Sequence, residues 1–293
     1  MGTPEAEIVV SVDLVRTLLQ EQHPDLASLP LRPLASGWDN EMLRLGDDLV
    51  VRLPRRQASA HLLEHEQRWL PLLAPTLPLP VPSPLRLGRP SAAYPWAWSV
   101  VPWIPGRPVH DAPPASWEGV ATQLGAFLAA LHQPAPPDAP LNPYRGRPLA
   151  ERTERLQLGL AVGDPRVDRA AVEAAWRRFL QLPPSTEPPL WLHGDLHPLN
   201  VLVDGEVVTG VIDFGDITAG DRATDLALAW LILPASVRPV FRAAAGEHRP
   251  IDDATWARAR ATAVAFGVAY LVGDERVAAI GARAVAEALA DEP

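Results

Sequence analysis

Residues 191–216, WLHGDLHPLNVLVDGEVVTGVIDFGD, decide the fold that we expect for this chain. The apolar run Leu190–Leu192 predicts a short strand, and the polar run His193–Asn200 predicts a loop after it. Val201–Val203 predicts a second strand, and an Asp-Gly pair typical of hairpin turns joins it to a third strand over Val207–Ile212. The stretch therefore predicts a strand, a polar loop and a hairpin that ends in an aspartate.

Three side chains of this stretch form a set that suits phosphoryl transfer. Asp195 lies on the loop, where its carboxylate can face a reacting hydroxyl. Asn200 follows five residues later, and Asp213 lies thirteen residues beyond it, at the end of the hairpin. Mg²⁺ accepts carboxylate and carboxamide oxygens, and proteins usually share it between few side chains and the phosphates of a substrate. One carboxylate is thus placed for a hydroxyl and an Asn/Asp pair for a metal, as phosphoryl transfer requires.

The same residues resemble a known family. The run His193-Gly194-Asp195-Leu196-His197-Pro198-x-Asn200, followed by Ile212-Asp213-Phe214-Gly215-Asp216, is similar to the aminoglycoside phosphotransferase family of the protein-kinase-like superfamily. Protein kinases carry His-Arg-Asp where this chain has His-Gly-Asp. The later run Gly220–Ala227 also fits the family, and the resemblance extends from about Leu31 to Ala229.

These motifs allow two other interpretations. His193 and His197 are four residues apart, a spacing that chelates zinc on a helix. Gly194 and Pro198 argue against a helix here, so we expect His193 to orient the loop through a hydrogen bond. Asp213 taken alone is also compatible with an ordinary turn cap, which the complete ordered set of motifs disfavours.

Composition limits the partners and the surroundings of the protein. The 293 residues suffice for a large core in two lobes or domains, and 47% hydrophobic with 21% charged residues is an ordinary globular balance. A net charge of −9 disfavours a nucleic-acid partner. The chain has no cysteine for a disulfide or thiolate–zinc framework and no apolar run of membrane-spanning length. We therefore expect a cytoplasmic protein with no membrane contact and infer no obligatory protein partner.

The amino-terminal region predicts a helix and a three-stranded meander. Val12–Gln22 has apolar residues at helical spacing, and strands are predicted over Leu31–Ala35, Glu41–Leu45 and Leu49–Leu53. By the resemblance, the turn at Ser36-Gly37 is the nucleotide loop, whose backbone N–H groups would contact a phosphate. It lacks the Gly-x-Gly-x-x-Gly pattern, so an ordinary hairpin turn stays the alternative.

The third strand carries the cation that the resemblance assigns to the nucleotide phosphates. All 26 Lys and Arg residues are Arg, and Arg52 stands where the family places this cation. A guanidinium keeps its charge and forks onto phosphate oxygens. We expect Glu66 on the next helix to pair with Arg52, with Glu64 as the competing candidate. Arg55 and Arg56 are expected to be surface charges, and a solvent-facing Arg52 is the alternative to a clamp.

A helix, an extended segment and a strand complete the predicted first lobe. The helix spans His61–Leu73, the Pro-rich segment 74–95 is extended, and the strand spans Trp96–Ile104. By the resemblance, this strand leads into the hinge between the lobes, and backbone groups of Val101 and Trp103 face an adenine there. Trp96, Trp98 and Trp103 are expected to be core residues, and stacking on the base is the alternative.

The rest of the chain predicts a helical lobe. The expected helices are Ser116–His132, Ala150–Leu160, Asp168–Leu182, Arg222–Leu233, Val237–Ala245, Asp253–Tyr270 and Asp274–Leu289, and Ile217–Gly220 is expected to be a loop. We expect His132 to be structural. Asp221 and Asp225 lie near the start of the helix Arg222–Leu233, and we expect them to cap it and to anchor it to the catalytic loop, His193–Asn200. Direct contact with the substrate is the alternative.

These observations predict an α+β, bilobal protein-kinase-like fold, with a β-rich N-lobe over residues 1–104 and a mainly helical C-lobe over residues 105–293. By the resemblance, ATP or GTP binds between the lobes, Asp195 acts on a hydroxyl, and Asn200 and Asp213 hold Mg²⁺. The expected reaction is phosphorylation of a small molecule, with an aminoglycoside-like antibiotic as the leading acceptor. A macrolide kinase, a metabolic kinase for an amino alcohol or a sugar, and a nucleotide-binding pseudokinase are the alternatives.

The distribution of charge favours a cationic acceptor. Up to Gly106 the chain carries 11 Asp and Glu against 9 Arg, whereas the remainder carries 24 against 17. The excess acid therefore lies in the lobe that would hold the acceptor. Acidic clefts concentrate cationic ligands, which favours an amine over a neutral macrolide. Solvated helix faces are the alternative explanation for these carboxylates.

Overall fold

A five-stranded β-sheet with two helices occupies the first third of the chain and helices dominate the rest, within residues 5–291, which are the part of the chain that this computed structural model describes. The strands in that part are β1 (Leu31–Ser36), β2 (Asn40–Leu45), β3 (Leu49–Pro54), β4 (Arg86–Gly88), β5 (Trp98–Pro102), β6 (Arg107–Pro108), β7 (Leu190–Leu192), β8 (Val201–Asp204), β9 (Val207–Val211) and β10 (Thr218–Gly220). Its helices are α1 (Val12–Gln22), α2 (Gln57–Leu73), α3 (Glu118–Leu131), α4 (Thr153–Leu160), α5 (Arg169–Phe179), α6 (Ala223–Leu226), α7 (Leu228–Leu231), α8 (Arg238–Ala245), α9 (Asp253–Tyr270) and α10 (Glu275–Ala290).

The first lobe is built on a five-stranded antiparallel sheet in the order β1-β2-β3-β5-β4. Helix α1 begins and ends where the sequence predicts, and its apolar residues Val15, Leu18 and Leu19 are fully buried in the core that the sheet also lines. Arg52 lies on the central strand β3, opposite Ser99 of β5. The sheet therefore holds this arginine on its most constrained strand.

The second lobe has a larger core formed mainly by helices. Fully buried Phe127, Trp230 and Phe241 belong to it, α10 packs along α9, and α8 packs along α3. Two small antiparallel sheets, β10-β7 and β6-β8-β9, carry the loop between β7 and β8. A β-rich first lobe and a mainly helical second lobe confirm the predicted α+β architecture, while the exact boundary at residues 104 and 105 stays a prediction. Residues 1–4 and 292–293 of the two predicted lobes lie outside the described part.

Several elements differ from the sequence predictions, and helix α2, for example, begins at Gln57 and not at His61. The helix expected over Arg222–Leu233 is interrupted at Ala227 and forms α6 and α7. Every residue from Ala223 to Leu233 is buried, so the sequence there has no polar face that could reveal a break. The loop expected over Ile217–Gly220 contains β10, which pairs with β7, and the strand expected over Trp96–Ile104 is shorter, since β5 spans Trp98–Pro102.

The helices of residues 5–291 include none with both the length and the apolar character that a bilayer crossing requires.

Close packing of α3 against α8 gives a test of the helical core. A methyl group on Gly125 would lie 2.5 Å from the Cβ of Ala244, so Gly125→Ala should lower the free energy of unfolding by about 1–3 kcal/mol through overpacking. Gly119 lies on the same helix, but its added methyl group would come no closer than 3.7 Å to Glu206. Gly119→Ala should therefore leave stability unchanged or raise it by up to about 1 kcal/mol. Urea unfolding measures both, and equal effects would contradict the packing described.

Candidate active site

The loop between β7 and β8 is fixed by a buried carboxylate from α6. Asp225 is fully buried, and its side chain accepts the backbone N–H of His193 at 2.8 Å and that of Gly194 at 2.9 Å. Gly194 has a φ of +89°, and a Cβ there would lie 2.5 Å from the carbonyl oxygen of Asp216. Only glycine fits this position, for both its backbone conformation and its close contact. Asp225 therefore anchors the loop, as predicted.

Two histidines support this arrangement. The Nδ1 atom of His193 accepts the backbone N–H of Asp195 at 3.2 Å, so its Nε2 carries the proton and donates to the carbonyl of Ile212 at 3.0 Å. The ring of His193 also packs on Phe214, with centroids 4.5 Å apart. Nε2 of His132 lies 3.3 Å from the carboxylate of Asp225. These contacts confirm the expected orienting role of His193 and the structural role of His132.

The carboxylate of Asp195 is held by residues from three other parts of the chain. Its Oδ1 accepts hydrogen bonds from Arg145 at 2.8 Å and from the hydroxyl of Tyr270 at 3.0 Å. Its Oδ2 lies 3.5 Å from Nε2 of His197. Burial raises the pKa of Asp195, but the charge of Arg145 together with the interactions of His197 and His193 outweighs burial, so the net pKa lies well below its usual range and the carboxylate is ionised.

The hairpin brings Asn200 and Asp213 to one end. Val201 of β8 faces Val211 of β9, and the backbone N–H of Ile212 donates to the carbonyl of Asn200 at 2.9 Å. The side chain of Asn200 donates to the carbonyl of Asp195 at 3.0 Å, which ties the predicted metal residue to the catalytic loop. Asp213 has a φ of +67°, a conformation that aspartate tolerates better than most residues, and its side chain is 56% exposed.

The donor types and their placement fit Mg²⁺. One carboxylate and one carboxamide provide hard oxygen atoms, and the exposed carboxylate leaves room for phosphate oxygens and water. Within residues 5–291, no three His, Cys, Asp or Glu side chains come together as a metal site. A site that depends on nucleotide phosphates for its remaining ligands does not need such a cluster.

Arg52 connects the sheet, α2 and the hairpin. Its guanidinium pairs with Glu66, not Glu64, and its Nη2 lies 3.6 Å from the carboxylate of Asp213. Glu66 is fully buried, and burial raises its pKa to about 7 although Arg52 opposes the rise. Nε of Arg52 and Oε2 of Glu66 are buried without a hydrogen-bond partner in the described part of the chain. Nη2 makes no normal hydrogen bond at 3.6 Å from Asp213, so it is the guanidinium nitrogen that can donate to a bound phosphate.

The turn at Ser36-Gly37 is braced by the two arginines that were expected to be surface charges, and that expectation is wrong. Arg55 donates to the carbonyl of Gly37 at 2.8 Å, and Arg56 donates to the carboxylate of Asp39 at 2.9 Å. Both side chains are only 14–20% exposed. The sequence could not show this, because the two arginines become neighbours of the turn only when β3 pairs with β2. Ser36 itself is exposed.

The predicted hinge has one backbone donor fewer than expected. Val101 of β5 pairs with Val50 of β3, and the backbone N–H of Trp103 donates to the carbonyl of Asp48 at 2.7 Å. Any backbone hydrogen bond between Trp103 and a base is therefore limited to the carbonyl of Trp103. Its ring packs against the guanidinium of Arg44 at 3.9 Å, and Trp98 is fully buried in the core.

Sequence reasoning missed Arg145 and Tyr270. Arg145 lies in a second Pro-rich connection, residues 133–148 between α3 and α4, where the polar run Asn142-Pro143-Tyr144-Arg145-Gly146 was the only signal. Tyr270 is the last residue of α9, and nothing in its sequence neighbourhood distinguishes it. Both reach Asp195 across more than 45 residues of chain, with separations of 50 and 75.

Comparison with known proteins supports the resemblance. An aminoglycoside 3'-phosphotransferase of Escherichia coli is 31% identical over 140 residues, which cover 46% of this chain and 52% of that protein. An aminoglycoside 3'-phosphotransferase of Streptomyces fradiae is 31% identical over 176 residues, which cover 58% of this chain and 65% of that protein. The matched part thus spans between half and two thirds of the length of these relatives.

Solved structures share the fold over nearly the whole chain. The GDP complex of wild-type aminoglycoside 2'-phosphotransferase-IIIa has a TM-score of 0.71 at 22% identity, with 94% of this chain and 98% of that chain covered. Macrolide 2'-phosphotransferase MphH of Brachybacterium faecium has a TM-score of 0.64 at 23% identity, with 93% and 98% covered. Both confirm the bilobal kinase-like fold. A model of the phosphotransferase enzyme family matches residues 30–262, and this chain therefore belongs to the phosphotransferase enzyme family.

Proposed function

We propose that this protein phosphorylates a hydroxyl group of a small molecule with ATP and Mg²⁺, and that its acceptor is an aminoglycoside-like antibiotic. The contact that supports this most is the bridge from Arg52 to both Glu66 and Asp213. It joins the candidate phosphate clamp of the sheet to the candidate metal ligand of the hairpin. The catalytic loop with Asp195 is tied to the same end of the hairpin through Asn200.

Asp195 is proposed to orient the acceptor hydroxyl and to take up its proton. General-base assistance of this kind is typically worth about 10²–10⁴ in rate. A carboxylate whose pKa lies well below its usual range is a weak base, so orientation is the larger part of the proposed role. Phosphoryl transfer through a loose transition state depends mainly on such positioning.

The remaining residues are proposed to bind the nucleotide and its metal. Asn200 and Asp213 would hold Mg²⁺, which when bound would neutralise charge on the nucleotide phosphates. The turn at Ser36-Gly37 would cover the phosphates, and Val101 with the carbonyl of Trp103 would contact the base. GTP is to be tested beside ATP, because one structural neighbour is a GDP complex. The cytoplasmic location stays a prediction.

The proposed acceptor class rests on relatives more than on net charge. The named curated relatives are aminoglycoside 3'-phosphotransferases. Many of the carboxylates counted in the second lobe form ion pairs, such as Glu187 with Arg222 and Asp221 with Arg258. The carboxylates of Asp195 and Asp216 both pair with Arg145, so two negative charges share one positive charge. This local excess of negative charge still favours an amine.

Replacement of Asp195 tests the reaction class. Asp195→Ala should lower kcat by at least about 10² with the dissociation constant for nucleotide within a few-fold of the original, because the residue acts on the acceptor hydroxyl. Steady-state kinetics and calorimetric nucleotide titration measure the two quantities. Asp204→Ala, an exposed position in the turn of the same hairpin, is the control. Activity within a few-fold of the unmodified protein would remove Asp195 from the mechanism.

Replacement of Arg52 tests the phosphate clamp. Arg52→Ala should weaken nucleotide binding or lower kcat at least about tenfold, and Arg52→Lys should recover only part, because an ammonium lacks the forked geometry. The double variant Arg52→Ala, Glu66→Gln separates the loss of the clamp from the cost of leaving a buried carboxylate unpaired. Arg86→Ala, on the exposed edge strand, is the control. Equal losses in the Arg52 and Arg86 variants would indicate a diffuse basic surface.

A panel of acceptors tests the substrate class. We expect kcat/KM to be at least about tenfold higher for aminoglycosides than for macrolides or amino alcohols, and to fall as salt increases, because attraction between exposed charges is screened. Coupled nucleotide-hydrolysis assays at low and high ionic strength measure this. A preferred neutral acceptor without salt dependence would exclude the cationic class and leave the kinase reaction standing.

A further inference from the structure

Two residues outside the motifs hold the carboxylate that faces the acceptor. We propose that Arg145 and Tyr270 are positioning residues, which occupy Oδ1 of Asp195 so that Oδ2 receives the acceptor hydroxyl. The inference rests on the proposed function, in which Asp195 contacts that hydroxyl. It assigns the two oxygens of one carboxylate to different tasks.

The hydrogen-bonding capacity of the carboxylate leads to this assignment. An ionised carboxylate has about two acceptor sites on each oxygen. Oδ1 of Asp195 already accepts from Nη2 of Arg145 at 2.8 Å and from the hydroxyl of Tyr270 at 3.0 Å. Oδ2 has His197 at 3.5 Å, which is longer than a normal hydrogen bond. Oδ2 therefore keeps the capacity to accept a hydrogen bond from a substrate.

Arg145 is held too firmly to be a mobile surface cation. Its Nε donates to Asp216 at 3.1 Å, and the side chain of Asn142 donates to the other oxygen of Asp216 at 2.7 Å. The next residue, Gly146, lies so close to β10 that a Cβ on Gly220 would be 2.5 Å from its Cα atom. These contacts hold the Pro-rich connection against Asp216 and β10, and so fix the guanidinium of Arg145 in place.

Helix α9 supports both positioning residues from the other side. The guanidinium of Arg145 lies 4.8 Å from the ring centroid of Phe266, a cation–π contact. Phe266 stacks on Tyr270, which follows one helical turn later, and the edge of Tyr270 contacts His197. Burial and the negative charge of Asp195 raise the pKa of Tyr270 well above its ordinary value, so its hydroxyl stays protonated and donates.

Kinetics of matched variants test the assignment. Arg145→Gln and Tyr270→Phe should each lower kcat at least about tenfold while KM for acceptor and nucleotide stays within a few-fold, because orientation of Asp195 is lost and binding is not. Arg145→Lys should recover part of the loss. In an Asp195→Ala background, Arg145→Gln should have no further effect, since it acts through Asp195. The controls are Arg147→Gln, two residues away in an exposed pair with Glu151, and Tyr144→Phe, on an exposed ring.

Specific results would overturn the proposal. A lower KM for amines with unchanged kcat in Arg145→Gln would mean that the guanidinium competes with the acceptor for the two carboxylates. If Arg145→Gln lowers kcat by the same factor in the Asp195→Ala background as in the unmodified protein, Arg145 acts on another group. Arg145→Gln removes contacts with two carboxylates, so Tyr270→Phe is the second variant, because it removes a single oxygen atom and keeps the packing.

A readout without turnover separates this inference from the proposed function. Urea unfolding of the single and double variants at Arg145 and Asp195 should give non-additive effects, because the two side chains contact each other. If the unmodified protein phosphorylates no acceptor, the proposed function fails. The unfolding cycle still shows whether Arg145 and Asp195 interact. Additive effects in that cycle would overturn the proposed contact between Arg145 and Asp195, whether or not the protein is active.

Discussion

A buried carboxylate that accepts two backbone N–H groups is the interaction on which the rest of this site depends. Asp225 is fully buried and lies against His193, Gly194 and His132. A buried charge without such donors would cost several kcal/mol, so α6 and the catalytic loop are held together by the need to satisfy it. The conformation of the loop, and hence the place of the next residue, Asp195, follows from this one contact.

A second arrangement, a guanidinium between two carboxylates, occurs twice among the candidate functional side chains. The guanidinium of Arg52 lies between Glu66 and Asp213, and that of Arg145 lies between Asp195 and Asp216. A planar guanidinium can contact two carboxylates in fixed directions, whereas an ammonium is a point charge on a flexible stem. A chain whose cations are all arginine can therefore connect the sheet to the hairpin, and the Pro-rich connection to the catalytic loop, with defined geometry.

The bridge of Arg52 lies on the proposed nucleotide side of the site, and the bridge of Arg145 lies on the proposed acceptor side. On the proposed nucleotide side, Nη2 of Arg52 lies 3.6 Å from Asp213, which is longer than a normal hydrogen bond and leaves capacity for a ligand. On the acceptor side, Arg145 uses Nη2 and Nε on protein carboxylates, so its role is internal. Net charge of a lobe does not distinguish these cases, because what matters at short range is which carboxylates are already paired.

The sequence by itself determined the hairpin and the spacing of Asp195, Asn200 and Asp213, whereas the family resemblance favoured Glu66 over Glu64 as the partner of Arg52. The hairpin is recognisable because its two strands are neighbours in the sequence and have a clear apolar pattern, and the spacing is read directly from the sequence. Only the tertiary structure decided the break between α6 and α7, the bracing of the Ser36-Gly37 turn, and the clamp on Asp195 by Arg145 and Tyr270. Fully buried helices show no polar face, and residues that are 50 or more positions apart meet through packing of whole elements, which no local pattern records.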